Sequence, residues 1–171
     1  KINIQRFIHT TINHCLGCHI FSVNLFQIMK INQSKNIANW GLYPTIKTNE
    51  YQPQSKEEFV EAITSTTKII ARGNGRCYGD ASLQIDVVST KKWNKFIDFD
   101  RDRGYIEVEA GVLLSDILEV SVPSGYFITV TPGTKFITVG GAIASDVHGK
   151  NHHVDGCFSE HLVYFDLMIE S

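Results

Sequence analysis

Residues 71–81 read Ala-Arg-Gly-Asn-Gly-Arg-Cys-Tyr-Gly-Asp-Ala, and this glycine-rich run organises the chain on either side of it. The β-branched run Lys68–Ala71 before it predicts a buried strand. Closely spaced glycines permit positive φ and let backbone amides converge on an anion such as a diphosphate. On the glycines alone, a tight turn between strands is the simpler interpretation. The run is neither a Walker loop nor a Rossmann fingerprint, because neither Gly-Lys-Ser/Thr nor a third glycine inside an opening helix follows.

A second small-residue segment lies further along the chain. Pro-Gly-Thr stands at 132–134, and residues 138–153 read Thr-Val-Gly-Gly-Ala-Ile-Ala-Ser-Asp-Val-His-Gly-Lys-Asn-His-His. A flat ring or a diphosphate could lie against such backbone, and helix N-terminal amides there would favour phosphate. His148, His152 and His153 are interpreted as surface or packed imidazoles. A metal site is disfavoured, because neighbouring His152 and His153 cannot easily face one ion.

Local patterns predict an alternation of helices and strands after residue 50. Ser55 and Glu58 form a capping box, so a helix begins there and presents Phe59, Val60, Ala62 and Ile63. A further helix is predicted at Leu114–Val122. Strands are predicted at Asp86–Ser89, Phe96–Phe99, Tyr105–Ala110, Phe127–Thr131 and Leu162–Ile169. The alternation within Tyr105–Ala110 indicates a sheet with one solvated face.

Composition excludes several classes of function. The 171 residues carry 16 Lys+Arg and 18 Asp+Glu, a net charge of -2, without a basic stripe for nucleic acid. No stretch approaches the roughly 18 apolar residues of a membrane helix, so no integral membrane segment is expected. Four cysteines without a regular framework indicate a reducing compartment, and a cytoplasmic location is the expectation.

Residues 1–28 differ in character from the rest. No Asp or Glu precedes Glu50, and Met29 is the first methionine, so 1–28 are interpreted as an atypical extension outside the fold and 29–171 as the domain. Cys15-Leu16-Gly17-Cys18-His19 has the spacing of c-type haem attachment. Zinc and chance occurrence are the alternatives, and chance is favoured because no export signal or second ligand pair accompanies the motif.

Taken together, the two glycine segments resemble the FAD-linked oxidase family with the vanillyl-alcohol-oxidase fold, most closely its decaprenylphosphoryl-β-D-ribose oxidase branch. That branch shows Ala-Arg-Gly-x-Gly-Arg-x-Tyr-Gly-Asp and then Pro-Gly-Thr…Thr-Val-Gly-Gly-Ala-Ile-Ala-x-Asp-x-His-Gly-Lys-Asn-His-His. Both runs stand here almost unbroken, and the resemblance covers roughly residues 40–171. It implies an α+β fold, namely a PCMH-type FAD-binding domain that is incomplete at its C-terminal end and lacks the substrate domain.

The resemblance also implies a set of cofactor-binding residues. The loop that would cradle the FAD diphosphate comprises Ala71, Arg72, Gly73, Asn74, Gly75, Arg76, Cys77, Tyr78, Gly79, Asp80 and Ala81. The remainder of the cofactor site would comprise Gly133, Thr138, Val139, Gly140, Gly141, Ser145, Asp146, Val147 and His148. Tyr78, His148 and Lys150 would lie near the flavin ring or the substrate entrance, as the candidate catalytic residues.

Two loop positions depart from the patterns of related oxidases. Arg76 stands where covalently flavinylated relatives carry His, so non-covalent FAD is expected. Its guanidinium could instead pair with a phosphate or with Asp80. Cys77 replaces a common Ser, and a small, partly buried thiol is the default interpretation.

The implied reaction is oxidation of an alcohol carbon of a sugar or alditol, for which a lipid-linked pentose is one substrate, with hydride passing to the flavin. Oxygen or an electron carrier, such as a partner reductase, would reoxidise the flavin. His148 is a candidate for proton handling or a packed imidazole. We expect this polypeptide alone to be inactive. A flavin-free accessory protein of the same fold and, remotely, a haem electron carrier are the alternatives.

Overall fold

The computed structural model describes residues 32–169, and the haem-like Cys15–His19 motif lies outside them. The fold is of the α+β class, as predicted. Its main sheet contains β1 (Asn32–Ile37), β2 (Ile46–Tyr51), β3 (Ile69–Arg72) and β4 (Asp86–Ser89). The strand order is β1-β2-β4-β3, with β1 antiparallel to β2 and with β4 parallel to both β2 and β3. The glycine loop therefore leaves the C-terminal end of an edge strand.

Helix α1 (Lys56–Thr64) connects β2 to β3 and begins at the predicted cap. The Ser55 hydroxyl accepts from the Glu58 amide at 3.2 Å, but the Glu58 carboxylate accepts from the Gln54 amide at 2.7 Å instead of reaching back to Ser55. Ala62 is fully buried in a cluster with Tyr51 and Val88. Burial of this face fixes the helix against the sheet.

A second unit follows the main sheet. The hairpin of β5 (Phe96–Asp100) and β6 (Tyr105–Val108) precedes α2 (Leu114–Ser121), α3 (Val139–Ala144) and the short α4 (His152–Asp155). The 3₁₀ turns lie at Val122–Ser124 and Phe158–His161. These elements share a core formed by Val112, Leu114, Ile117, Val139, Ala142 and Phe158. As the alternation predicted, Ile106 and Val108 pack against this core while Tyr105 is exposed.

Two predicted strands are wrong. Residues 127–131 form no ladder, because the Thr129 carbonyl accepts from the Asn151 side chain at 2.9 Å and not from a neighbouring strand. Residues 162–169 likewise pair with no strand in the described part of the chain. Leu162 packs on the core and the Tyr164 hydroxyl donates to Glu107 at 3.4 Å, so side chains hold this segment.

Strands β1 and β2 were not predicted from the sequence, and two buried positions of β2 are polar. Thr48 and Glu50 are almost fully buried. The Thr48 hydroxyl donates to the Gln84 carbonyl at 2.8 Å, and Glu50 pairs with Lys35 of β1. These polar side chains can be buried because they have hydrogen-bond or charged partners. Such burial leaves no alternating apolar pattern in the sequence. No helix among residues 32–169 is long and apolar enough to cross a membrane.

Candidate functional site

The two glycine segments meet in the folded chain. A Cβ added to Gly73 would lie 2.2 Å from the Thr138 hydroxyl oxygen, so backbone and side chain are in direct contact there. The side-chain Nδ2 of Asn74 donates to the Phe136 carbonyl at 2.7 Å, across 62 sequence positions. The start of the glycine loop is therefore held against the residues that precede α3.

The glycine loop offers free backbone donors. Within residues 32–169, no backbone amide from 73 to 79 donates to another group of the chain. Buried or half-buried amides usually have partners, and amides presented by a glycine loop are typical donors to phosphate oxygens. This loop therefore presents the backbone donors that an anion cradle needs, and the diphosphate site itself stays a prediction.

A buried positive charge lies beside the same loop. The Arg72 guanidinium donates to the Ala38 carbonyl at 3.0 Å and to the Ser82 carbonyl and hydroxyl at 3.1 Å, and it also contacts the Asn39 side chain. A Cβ on Gly75, whose φ is +60°, would lie 2.3 Å from Arg72 Nη2. The guanidinium therefore lies directly against the loop backbone.

Arg72 has only neutral hydrogen-bond partners in the described part of the chain, where no carboxylate forms an ion pair with it. Burial lowers the pKa of its guanidinium, and the negative charge of Glu50 opposes that shift. An arginine nevertheless stays protonated at neutral pH. The positive charge is thus available to attract an anion bound on the loop.

Residues 38–41, which the sequence did not predict as part of the site, lie against the glycine loop. Asn39 is buried, and its Nδ2 donates to the Gly79 carbonyl at 2.6 Å. A Cβ on Gly41 would lie 2.0 Å from the Tyr78 carbonyl oxygen, and the Trp40 and Tyr78 rings meet edge to face at 5.4 Å. No local sequence pattern marks this segment, because its partners in the glycine loop lie tens of positions away in the chain.

The expected role of the α3 N-terminus is wrong. The amides of Val139 and Gly140 donate to the carbonyls of Val112 and Ala110 at 2.8 Å each. The Gly141 amide donates to the Thr138 hydroxyl at 3.1 Å, which caps the helix. Because the fold itself uses these donors, none is left for a phosphate. The small residues of α3 serve close packing, as shown by the 3.1 Å between a Cβ on Gly140 and Ala110.

Several other predicted residues have structural contacts. The Val139 and Val147 side chains belong to the core, so only their backbone could touch a cofactor. Asp146 has φ 39° and its carboxylate accepts from the Ser159 amide at 2.9 Å. The Ser145 amide ends α3 by donating to Gly141 at 3.2 Å. These contacts shape the turn that leads into the histidine segment.

The candidate catalytic side chains are exposed but not gathered. Tyr78 is 79% exposed and contacts Trp40. His148 forms an isolated bridge with Cys157, and its ring lies 5.1 Å from that of His152. Lys150 is exposed at the start of the next turn. Among residues 32–169, no hydrogen bond, ion pair or ring contact joins Tyr78 to His148 or Lys150.

The remaining predicted site residues lie in the second half of the glycine loop and at Gly133. Arg76 lies 5.9 Å above the Phe136 ring and forms no described ion pair with Asp80, so the predicted pairing with Asp80 is not observed. Cys77 is half-buried, with its sulfur 4.0 Å from the Ser82 hydroxyl oxygen. Asp80 and Ala81 are exposed, and Gly79 and Gly133 have open space where a Cβ would stand. No described group of His, Cys, Asp and Glu has the arrangement of a metal site.

Comparisons with known proteins relate the chain to flavoproteins. Residues 50–171 match the model of a family described as FAD binding domain. Decaprenylphosphoryl-beta-D-ribose oxidase of Mycolicibacterium smegmatis is 34% identical over 145 residues, which cover 79% of this chain and 31% of that protein. D-lactate dehydrogenase of Anaerostipes hadrus is 30% identical over 76 residues, which cover 44% and 16%.

A solved structure shares the fold. Cholesterol oxidase from B. sterolicum superposes with a TM-score of 0.56 at 17% identity, covering 68% of this chain and 24% of that one. At this identity the likeness concerns the fold alone. The chain spans about a third or less of the length of each of these relatives.

Proposed function

Because the chain belongs to the FAD-binding domain family of FAD-dependent oxidoreductases, we propose that it binds FAD without a covalent bond, with the diphosphate on the amides of residues 73–79. The free loop amides are the observation that carries this proposal. FAD, when bound, supplies the hydride-accepting chemistry. The chain's share is to hold and orient the cofactor.

The loop fits a diphosphate on two independent grounds. Glycine at 73 and 75 lets the backbone lie against Thr138 and Arg72, where a Cβ would collide. The buried Arg72 charge favours an anion at that surface, and the exposed Arg76 guanidinium beside Phe136 can reach a phosphate oxygen from the solvent side. Gly133 and the turn 145–148 would flank the rest of the cofactor.

We further propose that the protein to which this domain belongs oxidises an alcohol carbon of a sugar or alditol, and a lipid-linked pentose is the first substrate to test. The compounds in the names of the ribose oxidase and the lactate dehydrogenase both carry an alcohol carbon that can be oxidised. Tyr78, His148 and Lys150 are the side chains we assign to the substrate side, where His148 could hold or move a proton. Oxygen or a partner reductase would accept the electrons.

Retention of flavin tests the cofactor proposal directly. The chain is incubated with excess FAD, desalted, and its visible spectrum is recorded before and after acid precipitation. We expect a two-band flavin spectrum that acid releases into the supernatant. Flavin that stays in the pellet would contradict non-covalent binding, and a folded chain that retains no flavin would favour an accessory role for this fold.

A further inference from the structure

Residues 38–41 contact the glycine loop at both ends, and we propose that Asn39 is the positioning residue that holds this loop in its FAD-binding shape. The inference rests on the proposed FAD site and adds a residue that lies outside the stretch matched by the family model, 50–171. We call residues 38–41 the strap.

Asn39 connects the two limbs of the loop. Its Oδ1 accepts from the Arg72 guanidinium at the beginning of the loop and from the Ser82 hydroxyl, at 3.1 Å, just after its end. Its Nδ2 donates to the Gly79 carbonyl at 2.6 Å. The buried side-chain amide of Asn39 therefore holds the loop at Gly79 and at both of its ends. The backbone amides of residues 73–79 donate to no described group of the chain.

The orientation of the Asn39 amide follows from its neighbours. Arg72 can only donate and the Gly79 carbonyl can only accept, so the oxygen must face Arg72 and the nitrogen must face Gly79. Neither Asp nor Leu satisfies both partners. Asp keeps acceptors for Arg72 but has no donor for Gly79, whereas Leu fills the space without either bond.

The other strap contacts act in the same direction. The Ala38 carbonyl accepts from Arg72 at 3.0 Å, and Gly41 lies directly against the Tyr78 carbonyl. The strap therefore restricts where the loop backbone can lie. A loop that is already ordered loses less conformational entropy when a diphosphate binds, so the strap is expected to raise affinity through preorganisation.

Cys77 provides a readout of loop opening that needs no cofactor. Its thiol is half-buried within the loop, 4.0 Å from the Ser82 hydroxyl oxygen. In a background carrying Cys15→Ser, Cys18→Ser and Cys157→Ser, the rate of reaction with a thiol reagent under native conditions reports exposure of Cys77. Flavin fluorescence quenching gives the FAD affinity of the same proteins.

We expect Asn39→Leu to label about tenfold faster and to bind FAD about tenfold more weakly, the loss that corresponds to one or two hydrogen bonds. Asn39→Asp should keep its contact with Arg72, retain most of the thermal stability, and label at an intermediate rate. Ile117→Ala, in the second core, is the matched control. It should lower the melting temperature without changing Cys77 labelling.

The outcomes separate this inference from the proposed function. Unchanged labelling and FAD affinity in Asn39→Leu would overturn the positioning role even if the wild-type chain binds FAD. Faster labelling in Asn39→Leu but not in Ile117→Ala would support the role of the strap in ordering the loop. Wild-type protein that binds no FAD would overturn the proposed function, and with it the link from the strap to affinity.

Discussion

At the scale of single residues, the site depends on groups that lie against backbone. The Arg72 guanidinium is buried beside Gly75 with neutral partners, and Thr138 lies against Gly73. In both places a glycine is required because another chemical group occupies the position of a Cβ. The side chains of Arg72 and Thr138 therefore determine where the loop must carry glycine.

The contact between Gly73 and Thr138 gives the first prediction. In Gly73→Ala the new Cβ would lie 2.2 Å from a hydroxyl that is fixed by its bond to the Gly141 amide. We expect the free energy of unfolding to fall by about 1–3 kcal/mol, as in other overpacked sites. Urea denaturation measures it. Gly79→Ala is the control, because its Cβ would meet open space, and an equal loss there would contradict the explanation.

The ion pair between Lys35 and Glu50 gives a pH-dependent prediction. Burial alone would raise the pKa of the Glu50 carboxyl, but Lys35 and the Gln52 amide lower it below its ordinary value. The depressed pKa stabilises the fold above the ordinary pKa of glutamate, and this contribution is lost as pH falls through the folded-state value.

Lys35→Met should therefore lower the free energy of unfolding at pH 7 by about 1–2 kcal/mol, since the carboxylate loses a charged partner whose own side chain is half exposed. The difference from wild type should shrink as pH falls through the lowered pKa of Glu50 in the wild type, because the carboxyl is then protonated in both proteins. Chemical denaturation across pH measures it, and a difference that stays constant with pH would rule the ion pair out as its cause.

At the scale of elements, local sequence signals predicted the positions of α1 and α2. Tertiary contacts determine which groups the N-terminal amides of α3 bond to. The Ser55 cap and the buried Ala62 explain the position of α1. α3 has its own cap in Thr138, but its first amides bond to the carbonyls of Ala110 and Val112. A helix N-terminus binds an anion only when its donors are free, so these contacts leave the glycine loop as the proposed diphosphate site.

Ser55→Ala tests the α1 cap. Loss of the hydroxyl that accepts from the Glu58 amide should cost about 0.5–2 kcal/mol of stability. Thr64→Ala, at the other end of the same helix, is the control, because its hydroxyl bonds back only to carbonyls of its own helix, those of Val60 and Glu61. The two variants are compared by thermal unfolding. Similar losses at both positions would show that the cap is not the source.

At the scale of the whole molecule, the proposed FAD site joins parts of the chain that are distant in sequence. Contacts between Asn39 and Arg72, Asn39 and Gly79, and Asn74 and Phe136 span 33, 40 and 62 positions. An unfolded chain cannot hold these groups together. FAD should therefore bind the folded state only.

Binding to the folded state alone predicts a rise in melting temperature with FAD concentration. At a concentration of 100 times Kd the stabilisation should be about 2.7 kcal/mol, which is a shift of roughly 5–10 °C for a domain of this size. ADP, which carries the diphosphate, should give part of the shift, and riboflavin, which lacks it, should give little. A shift with riboflavin equal to that with FAD would contradict diphosphate recognition by the loop.

The sequence by itself determined the two glycine motifs, the cap and position of α1, strands β3 to β6 and helix α2. These features depend on interactions between residues up to about four positions apart or on apolar alternation, which can be recognised in a linear pattern. The two glycine motifs predicted the family, and the resemblance to that family implied the α+β class.

Only the tertiary structure decided which donors remain free for a ligand. Asn39, Gly41 and the buried polar strand β2 carry no local signal, because their partners lie tens of residues away. The strand predicted at 127–131 failed for the same reason, since the Asn151 side chain and not a neighbouring strand satisfies its backbone. Hydrogen-bond satisfaction is a property of the closed chain, so it appears only when distant segments are packed together.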